Sequence, residues 1–291
     1  MKWYPQCLGI SKQAFYKRIK SQKINDLNEL IMIELVNQCR KEQQQNLGGR
    51  KLYFLLQDKL KEHQIKIGRN KFFEFLRANK LLVRKTKRYF ITTDSKHQFY
   101  KYPNLISNKV PTRAEQLWVS DITYIKTDKG HNYLALVTDA YSKKIMGYKL
   151  DNHMKTSLCT DALKMAIKNR KYPDKKLIHH SDRGFQYCNP SYTEFAELNG
   201  IIMSMTEKYD PYENALAERI NRTMKYEYAM KQTIKNTALA KKMIKKAVYI
   251  YNNLRPHLSL DMLTPNKVHL KQNVKYKSYR KNNVNLLELK I

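Results

Sequence analysis

The sequence predicts an α/β domain built on a mixed five-stranded sheet with flanking helices, preceded by all-α helix-turn-helix modules. Three features of the chain lead to this prediction. Apolar residues recur at helical spacing up to about residue 83, β-forming runs alternate with helical periods from residue 116, and a basic stretch without a regular period separates the two. A chain of 291 residues can hold two or three modules. The boundaries we predict are a helical helix-turn-helix region at 1–83, a linker at 84–114, an α/β core at 115–257 and a C-terminal tail at 258–291.

The first predicted helix follows Ser11, a favourable N-cap residue before KQAFYKRI. In a helix-turn-helix, the residues that begin the recognition helix contact base edges in the major groove. Lys12, Gln13 and Tyr16 are therefore candidates for DNA contacts. Any capped basic helix has this pattern, so an ordinary surface helix is the alternative interpretation.

Three further helices are predicted at about 27–44, 50–62 and 70–79, with Gly48-Gly49 as a break between the first two. The last two form a second helix-turn-helix candidate, whose aromatic side chains we assign to the core. Its outward basic residues, also candidates for DNA contacts, are Arg69, Lys71 and Arg77.

The stretch 84–114 is basic, carries two prolines and has no sustained helical period. Such a composition is typical of an exposed connector. Its positive charge and interleaved tyrosine and phenylalanine residues also fit a segment that lies along a phosphate backbone.

The core begins with three predicted strands, LWVSDITYIKT, NYLALVTDAYS and KKIMGYKL, which are joined by short turns as an antiparallel meander. A helix at 157–170, a strand KLIHHSD, a short helix SYTEFAELNG and a strand IIMSMT follow. Helices predicted at DPYENALAERINRTMKYEY and at about 237–253 complete the domain. This succession of strands and helices is the ribonuclease-H-like order.

Net charge points to a polyanionic partner. The chain has 56 Lys and Arg against 25 Asp and Glu, a net charge of +31, and residues 1–110 hold 24 basic and 8 acidic side chains. The excess is therefore spread along the chain, and counterion release would drive binding to DNA or RNA. The alternative is a solvated basic surface without a specific partner. A membrane surface is disfavoured, because no single amphipathic basic helix carries the charge.

Cysteine spacing and hydropathy favour a cytoplasmic protein. Cys7, Cys39, Cys159 and Cys188 form no CxxC pair and no zinc-ligand pattern, so we predict reduced thiols. No apolar run approaches the roughly 18 residues of a membrane span, and no signal peptide opens the chain.

Three acids are the candidate catalytic residues. Asp121 lies in LWVSDITYI and Asp182 ends LIHHSD, two apolar strands in which a carboxylate is costly without a partner. Glu218 lies on a predicted helix, with 35 residues between it and Asp182. Carboxylate oxygens are the ligands that Mg²⁺ prefers, and two such ions can drive phosphoryl transfer. Asp139 also follows an apolar run, and we assign it a structural role, with direct metal binding as the alternative.

Helical geometry distinguishes Glu218 from its neighbours. Leu216, Ile220 and Met224 repeat every four residues and define the buried stripe, so Glu218 is expected on the polar face. A solvated surface acid is the alternative for a helical glutamate. Glu213 is instead assigned to capping, and Glu227 lies more than two turns further on. The side chains predicted to share the face of Glu218 are Asn214, Asn221, Arg222 and Lys225.

The blocks WVSDITYI, HHSDRGFQY and YENALAERINRTMKYE resemble the three catalytic-acid blocks of DDE transposases related to retroviral integrases. The resemblance is to the second-reading-frame product of the insertion-sequence-three family, and it extends over about residues 5–270. YNNLRPHLSLDMLTP and GGRKLYFLLQ resemble further blocks of that family. One departure is KYDPYENA, where a shorter glycine-containing stretch is frequent.

The resemblance implies a function and a set of sites. Asp121, Asp182 and Glu218 would bind two Mg²⁺ ions, for which Mn²⁺ would substitute, and would catalyse cleavage of element ends and strand transfer. Arg183, Arg222 and Lys225 would contact phosphates of double-stranded DNA. We further expect a homo-oligomer on DNA, a possible fusion with an upstream-frame partner, and a prokaryotic, nucleoid-associated location.

Two other functions remain open at the level of sequence. A metal-dependent nuclease could use the same fold and acids, and it would yield cut but not joined DNA. A DNA-binding regulator could retain only the helical modules. The intact acids argue against the second.

Overall fold

The computed structural model describes residues 11–83, 97–107, 109–207, 214–271 and 285–286. The chain forms two compact units, Met1–Lys85 and Thr86–Ile291, and each is described by itself.

The described part of the first unit consists of three helices: α1 Lys12–Glu42, α2 Gly49–Glu62 and α3 Arg69–Ala78. Their shared core contains the fully buried side chains Val36, Leu47, Leu52, Phe72 and Leu76. Burial of apolar side chains from all three helices stabilises this unit. The predicted α2 and α3 are thus confirmed, with boundaries within one residue.

The first helix is longer than predicted. Ser11 caps it as expected, accepting a hydrogen bond from the backbone N–H of Ala14 at 3.2 Å. The helix then continues to Glu42, so the predicted break before residue 27 is wrong. No glycine or proline lies between residues 12 and 42, which explains the continuity. Its buried residues begin only at Met32, and its first turns are exposed.

A five-stranded mixed sheet forms the second unit. Its strands are β1 Leu117–Thr127, β2 Gly130–Asp139, β3 Ile145–Asp151, β4 Leu177–Ser181 and β5 Ile201–Met205. The order across the sheet is β3-β2-β1-β4-β5. The first three strands are antiparallel, whereas β4 pairs in parallel with both β1 and β5. This is the predicted ribonuclease-H-like arrangement.

Helices cover both faces of this sheet. They are α4 Thr156–Lys168, α5 Phe185–Cys188, α6 Pro190–Leu198, α7 Ala215–Glu227, α8 Thr237–Asn253 and α9 Pro265–Leu270. Apolar side chains of α4, α5 and α6 pack on one face around Trp118. Those of α7 and α8 pack on the other face around Ile125, Leu134 and Leu136. The alternation of side chains along β1 therefore serves two separate cores.

Helix α4 lies very close to β3 at Gly147. A Cβ atom at this position would overlap the backbone oxygen of Ala162 and would lie 2.6 Å from the backbone nitrogen of Ala166. The absence of a side chain therefore lets this helix contact the sheet directly.

Two segments predicted as linker and tail pack against the core. In the described part of the linker, Phe99 and Tyr102 contact the α4 side of the core, and the Tyr102 hydroxyl donates to Glu197 at 2.7 Å. Beyond residue 257, a 3₁₀ turn at Leu258–Leu260 and helix α9 bury Leu260 and Val268. The core therefore extends past the predicted boundary at residue 257. The first part of the predicted linker, residues 84–96, lies outside the described residues.

A buried ionic cluster ties α9 to the sheet. Glu115, Asp139 and His269 are all at most 1% exposed. The His269 ring places Nε2 3.1 Å from Glu115 Oε1 and Nδ1 3.8 Å from Asp139 Oδ1. Asp139 also accepts hydrogen bonds from the N–H of Glu115 and from Ser142. The structural role predicted for Asp139 follows from these contacts.

No helix in the described part of the chain is long and apolar enough to cross a membrane. Cys39, Cys159 and Cys188 are buried free thiols, as predicted.

Candidate active site

Asp121 lies in the middle of β1, with both carboxylate oxygens engaged. The backbone N–H of Ile122 donates to Oδ1 at 2.8 Å, and the side-chain amide of Asn221 donates to Oδ2 at 2.8 Å. These two donors, one on each oxygen, fix the orientation of the carboxylate.

Asp182 directly follows β4, the parallel neighbour of β1. The register pairs Leu117 with Ile178 and Val119 with His180. Asp121 lies two residues after Val119, and Asp182 lies two residues after His180. The two acids are therefore at the same level on neighbouring strands, which are about 4.8 Å apart. The N–H of Gly184 donates to Asp182 Oδ1 at 3.1 Å, and that oxygen would lie 3.0 Å from a Cβ at position 184.

Glu218 lies in the first turn of α7, and two buried amides attach this turn to β1. Asn214 donates to the carbonyl of Ser120 at 3.0 Å, and Asn221 donates to Asp121. Glu218 lies between them in the helix, within one turn of the residue that contacts Asp121. Its side chain is exposed, as predicted. The predicted exposure of Asn214 and Asn221 is wrong, since they are 6% and 5% exposed.

Burial and neighbouring carboxylates raise the pKa of two of the three acids, Asp121 and Glu218. Burial, and then the charge of Asp182, raise the pKa of Asp121 to about 7, while the hydrogen bonds from Asn221 and Ile122 act in the opposite direction. Burial and the charge of Asp182 also raise the pKa of Glu218. Within the described residues, neither Asp121 nor Glu218 forms an ion pair with a lysine or arginine, although the charge of Lys225 acts on Asp121 from a distance.

The carboxylates are neighbours, but they do not form a closed ligand set. Among the residues that the structure describes, no group of three or more His, Cys, Asp or Glu side chains is arranged to hold a metal ion. The donors are all oxygens of the type that Mg²⁺ prefers. Their chemistry therefore fits a hard cation.

Two other acids, Glu227 and Glu213, were alternatives to Glu218 as the third acid of the site. Glu227 forms a two-point ion pair with Arg255, at 2.7 Å and 2.8 Å, and is thus unavailable as a ligand. Helix α7 begins at Ala215, after Asn214 at the N-cap position. The predicted start at Asp210 and the capping residue Glu213 lie outside the described residues.

Comparison with known proteins identifies the family. Two Integrase core domain models match residues 111–211 and 199–265. A relative from Shigella sonnei, the insertion element IS600 uncharacterized 31 kDa protein, is 31% identical over 264 residues, or 89% of this chain and 95% of its own. This chain belongs to the DDE transposases of insertion sequences.

Another relative and a solved structure are also similar to this transposase. Transposase InsF for insertion sequence IS3A of Escherichia coli is 39% identical over 112 residues, which is 38% of each chain. The HTLV-2 integrase catalytic core domain in complex with magnesium is 20% identical, with a TM-score of 0.43, over 54% of this chain and 97% of that one.

Basic residues predicted around the transposase site have different environments. Arg183 donates to the backbone carbonyl of Glu207 at 3.1 Å. Arg222 is exposed, with its guanidinium 5.7 Å from the Tyr226 ring centre. Lys225 Nζ lies 3.9 Å from the Tyr124 ring centre, and burial lowers its pKa while the charge of Asp121 acts to raise it.

The two histidines before Asp182 belong to the core. His180 Nδ1 lies 2.9 Å from the Ser204 hydroxyl on β5. His179 Nε2 lies 2.8 Å from the Ser120 hydroxyl, and burial lowers the pKa of this ring to about 3. Both side chains are completely buried, so they help to position the end of β4 and do not reach DNA.

The predicted DNA contacts of the helical unit are exposed, which leaves them accessible. They lie in the first turns of α1 and along α3: Lys12, Gln13, Tyr16, Arg69, Lys71 and Arg77.

Two residues that position the site were not recognised as such from sequence. Asn214 and Asn221 were noted only for their helical face, whereas their side chains attach α7 to β1. The signal available was their spacing of seven residues, which places them on one side of a helix together with Glu218.

Proposed function

We propose that this transposase cuts DNA at the ends of an insertion sequence and joins those ends to target DNA, as a metal-dependent polynucleotidyl transferase. The observations that support the proposal are the level of Asp121 and Asp182 on adjacent parallel strands and the attachment of the Glu218 helix to β1. The parallel register aligns the first two, and Asn221 holds the helix of the third against β1. Membership of the DDE transposases supports the reaction class.

Asp121, Asp182 and Glu218 would hold two Mg²⁺ ions, with Mn²⁺ as a substitute. When bound, the ions would activate water or a 3′-hydroxyl and stabilise the leaving 3′ oxygen. The raised pKa of Asp121 and of Glu218, caused by burial and by the charge of Asp182, supports this assignment, because a divalent cation would favour the ionised forms of all three acids. No protein nucleophile is required, and we expect no covalent protein–DNA intermediate.

The chain's own residues prepare the site. Asn221 and the N–H of Ile122 orient Asp121, and Gly184 allows the backbone to approach Asp182. The exposed guanidinium of Arg222, on the same helix as Glu218, is placed to contact a DNA phosphate.

The helical unit would recognise the element ends through α1 and α3. The transposase would act as an oligomer on double-stranded DNA in the cytoplasm, associated with the nucleoid, and fusion with an upstream-frame partner would add to its DNA recognition.

The decisive test is to incubate the purified chain with Mg²⁺ and labelled candidate element ends and to map the products. We expect cut and joined DNA. Asp182→Asn and Glu218→Gln should abolish both products while retaining DNA binding, because each removes one ligand charge and keeps the shape. The matched control is Asp174→Asn, at an exposed loop position, which should keep full activity. Replacing Mg²⁺ with Ca²⁺ should permit binding with little chemistry.

The product pattern separates the alternatives. Cut DNA without joined DNA would favour a nuclease. End-specific binding without any product, in the presence of either Mg²⁺ or Mn²⁺, would favour a regulator. Unchanged activity of Asp182→Asn would disprove the assignment of the acids.

A second experiment tests end recognition. A fragment of residues 1–85 should bind element-end DNA in preference to random duplex, with an affinity that falls steeply with salt. Equal affinity for both duplexes would place recognition outside the helical unit.

A further inference from the structure

The two helical layers of the core differ in charge. On one face of the sheet, α4 and α6 together carry two basic and three acidic residues. On the other face, α7 and α8 carry seven basic and two acidic residues. A generally lysine-rich composition would load both layers alike. The positive charge of these four helices is therefore localised on one layer.

Helix α8 contributes most of this difference. Its 17 residues include four lysines and no acid. Ala240, Ile244 and Ala247 are buried against the sheet, so the lysines occupy a rigid outer face. We call this the α8 lysine face; its members are Lys241, Lys242, Lys245 and Lys246, all exposed.

The described residues do not neutralise this face. Among them, no acid forms an ion pair with any of the four lysine ammonium groups, and no side chain or backbone group accepts a hydrogen bond from them. Lys241 and Lys245 are one helical turn apart, and so are Lys242 and Lys246. The two positive charges within each pair therefore repel each other. Tyr249, which is 61% exposed, continues the row of Lys241 and Lys245. An external polyanion would relieve the repulsion.

We propose that the α8 lysine face binds the phosphate backbone of duplex DNA, as a contact separate from the catalytic carboxylates. This inference rests on the proposed function. Because α7 and α8 lie in the same layer, a duplex bound along α8 would share a face of the sheet with Arg222 and Glu218. A membrane is a poor partner, since the apolar side of α8 is buried in the core. The contact would be independent of base sequence, because lysine binds phosphate as a point charge.

The test measures binding of the full chain to random-sequence duplex in EDTA, so that no metal contributes. The logarithm of the association constant is plotted against the logarithm of salt concentration. In the variant with Lys241, Lys242, Lys245 and Lys246 all changed to Gln, fewer phosphates are neutralised. The slope should become shallower by about 0.9 for each such phosphate, and by up to about 3.6 in total.

A matched control removes the same charge elsewhere in the core. It changes four exposed lysines to Gln: Lys129, Lys164, Lys168 and Lys171. Its slope should stay close to that of the parent, because these lysines lie outside the proposed face. Substituting arginine at the four α8 positions should preserve the slope, because the charge is retained.

Thermal unfolding provides the check on folding. The glutamine variant of α8 should unfold at the same temperature or higher, because it removes two repulsive pairs. If it instead loses its structure, the double variant Lys241→Gln/Lys245→Gln should still have a slope shallower by up to about 1.8.

Three outcomes would overturn the proposal. One is an unchanged slope in the α8 variants, and another is an equal change of slope in the control. The third is a change in the oligomeric state of the α8 variant, measured as its molecular mass in solution, without a change of slope. This result would identify the face as an interface between copies of the chain. In all three, the parent chain still binds and cuts DNA. A parent chain without any DNA binding would defeat the proposed function itself.

Discussion

Asn221 donates its side-chain amide to Oδ2 of Asp121 across 2.8 Å, and so joins the helix of the third acid to the strand of the first. Its own oxygen, Oδ1, is buried without a hydrogen-bond partner among the described residues. An unsatisfied buried acceptor costs free energy. The cost is consistent with a residue retained for the geometry of the site.

Asn221→Ala should reduce activity and raise the Mg²⁺ concentration needed for half-maximal cleavage. Loss of a side chain that orients a metal ligand typically costs about 10- to 100-fold in metal affinity or activity. Titration of cleavage with Mg²⁺ measures this effect. Thr223→Ala, on the same helix, serves as the control and should leave the titration unchanged, because its hydroxyl donates only to the carbonyl of Arg219.

The buried ion pair between Glu227 and Arg255 predicts a large stability effect. Arg255 is 6% exposed, and Arg255→Ala removes the guanidinium that donates to both oxygens of the Glu227 carboxylate. We expect the free energy of unfolding to fall by about 3 to 5 kcal/mol. Fluorescence of the buried Trp118, in a Trp3→Phe background, reports unfolding of the core in denaturant.

A second ion pair in the same unit is the control for this measurement. Lys149 and Asp161 are also 2.8 Å apart, but their side chains are 36% and 40% exposed. Lys149→Ala should therefore cost at most about 1 kcal/mol. Equal losses of stability in the two variants would show that burial does not determine the effect.

The ionic cluster around His269 predicts how stability depends on pH. Burial acts to lower the pKa of His269, but hydrogen bonds with Asp139 and Glu115 outweigh it, so the pKa lies above the ordinary 6.5. The protonated ring therefore stabilises the fold fully below about pH 6.5, and this contribution is lost as pH rises through the raised pKa. Lys144 opposes the effect by its charge, and Arg170 lies 3.5 Å from Glu115.

Glu115 determines how the stability of this cluster changes at acidic pH. Burial acts to raise its pKa, but the hydrogen bonds from His269 and from the N–H groups of Lys171 and Tyr172 place it below the ordinary 4.5. Its contribution is therefore present above about pH 4.5 and is lost as pH falls through the lowered pKa. The contribution of this cluster to stability, measured by the melting temperature, should thus be largest between about pH 4.5 and 6.5. His269→Gln should remove the decrease on the alkaline side, whereas His63→Gln, at an exposed position, should not.

Gly147 predicts a packing effect. Gly147→Ala would push α4 away from β3, because the new Cβ would overlap the backbone of Ala162 and Ala166. Overpacking of this kind typically costs about 1 to 3 kcal/mol. The free energy of unfolding by denaturant measures it. Gly68→Ala, where no atom lies within 4 Å of the new Cβ, should change stability much less.

The sheet and its helices were predictable because their signals are local. The strands alternate or run apolar over five to eleven residues, and α4, α7 and α8 repeat apolar residues at helical spacing. Spacing also singled out Asp121, Asp182 and Glu218. These patterns depend only on which face of an element is buried, which a single sequence contains.

Contacts between distant polar groups were not predictable in the same way. Asn214 and Asn221 look like surface residues by helical position, but their partners lie on a strand about 100 residues earlier. Likewise, residues 97–107 have no regular period, although Leu105 donates its N–H to Ser204 at 3.0 Å. Such bonds depend on the folded neighbourhood, and no local periodicity indicates them.

The position of His269 has a consequence for the fate of mobile-element copies. The two carboxylates that it bridges, Glu115 and Asp139, are translated 130 or more residues earlier and are fully buried. A copy with a stop codon before position 269 would encode Asp121, Asp182 and Glu218, the three acids of the proposed site. It would leave two adjacent buried negative charges without this imidazolium. We expect such a product to misfold and be degraded. Small deletions at the distal end of the gene would therefore silence a copy completely, and no truncated protein would accumulate to occupy element ends and block intact copies.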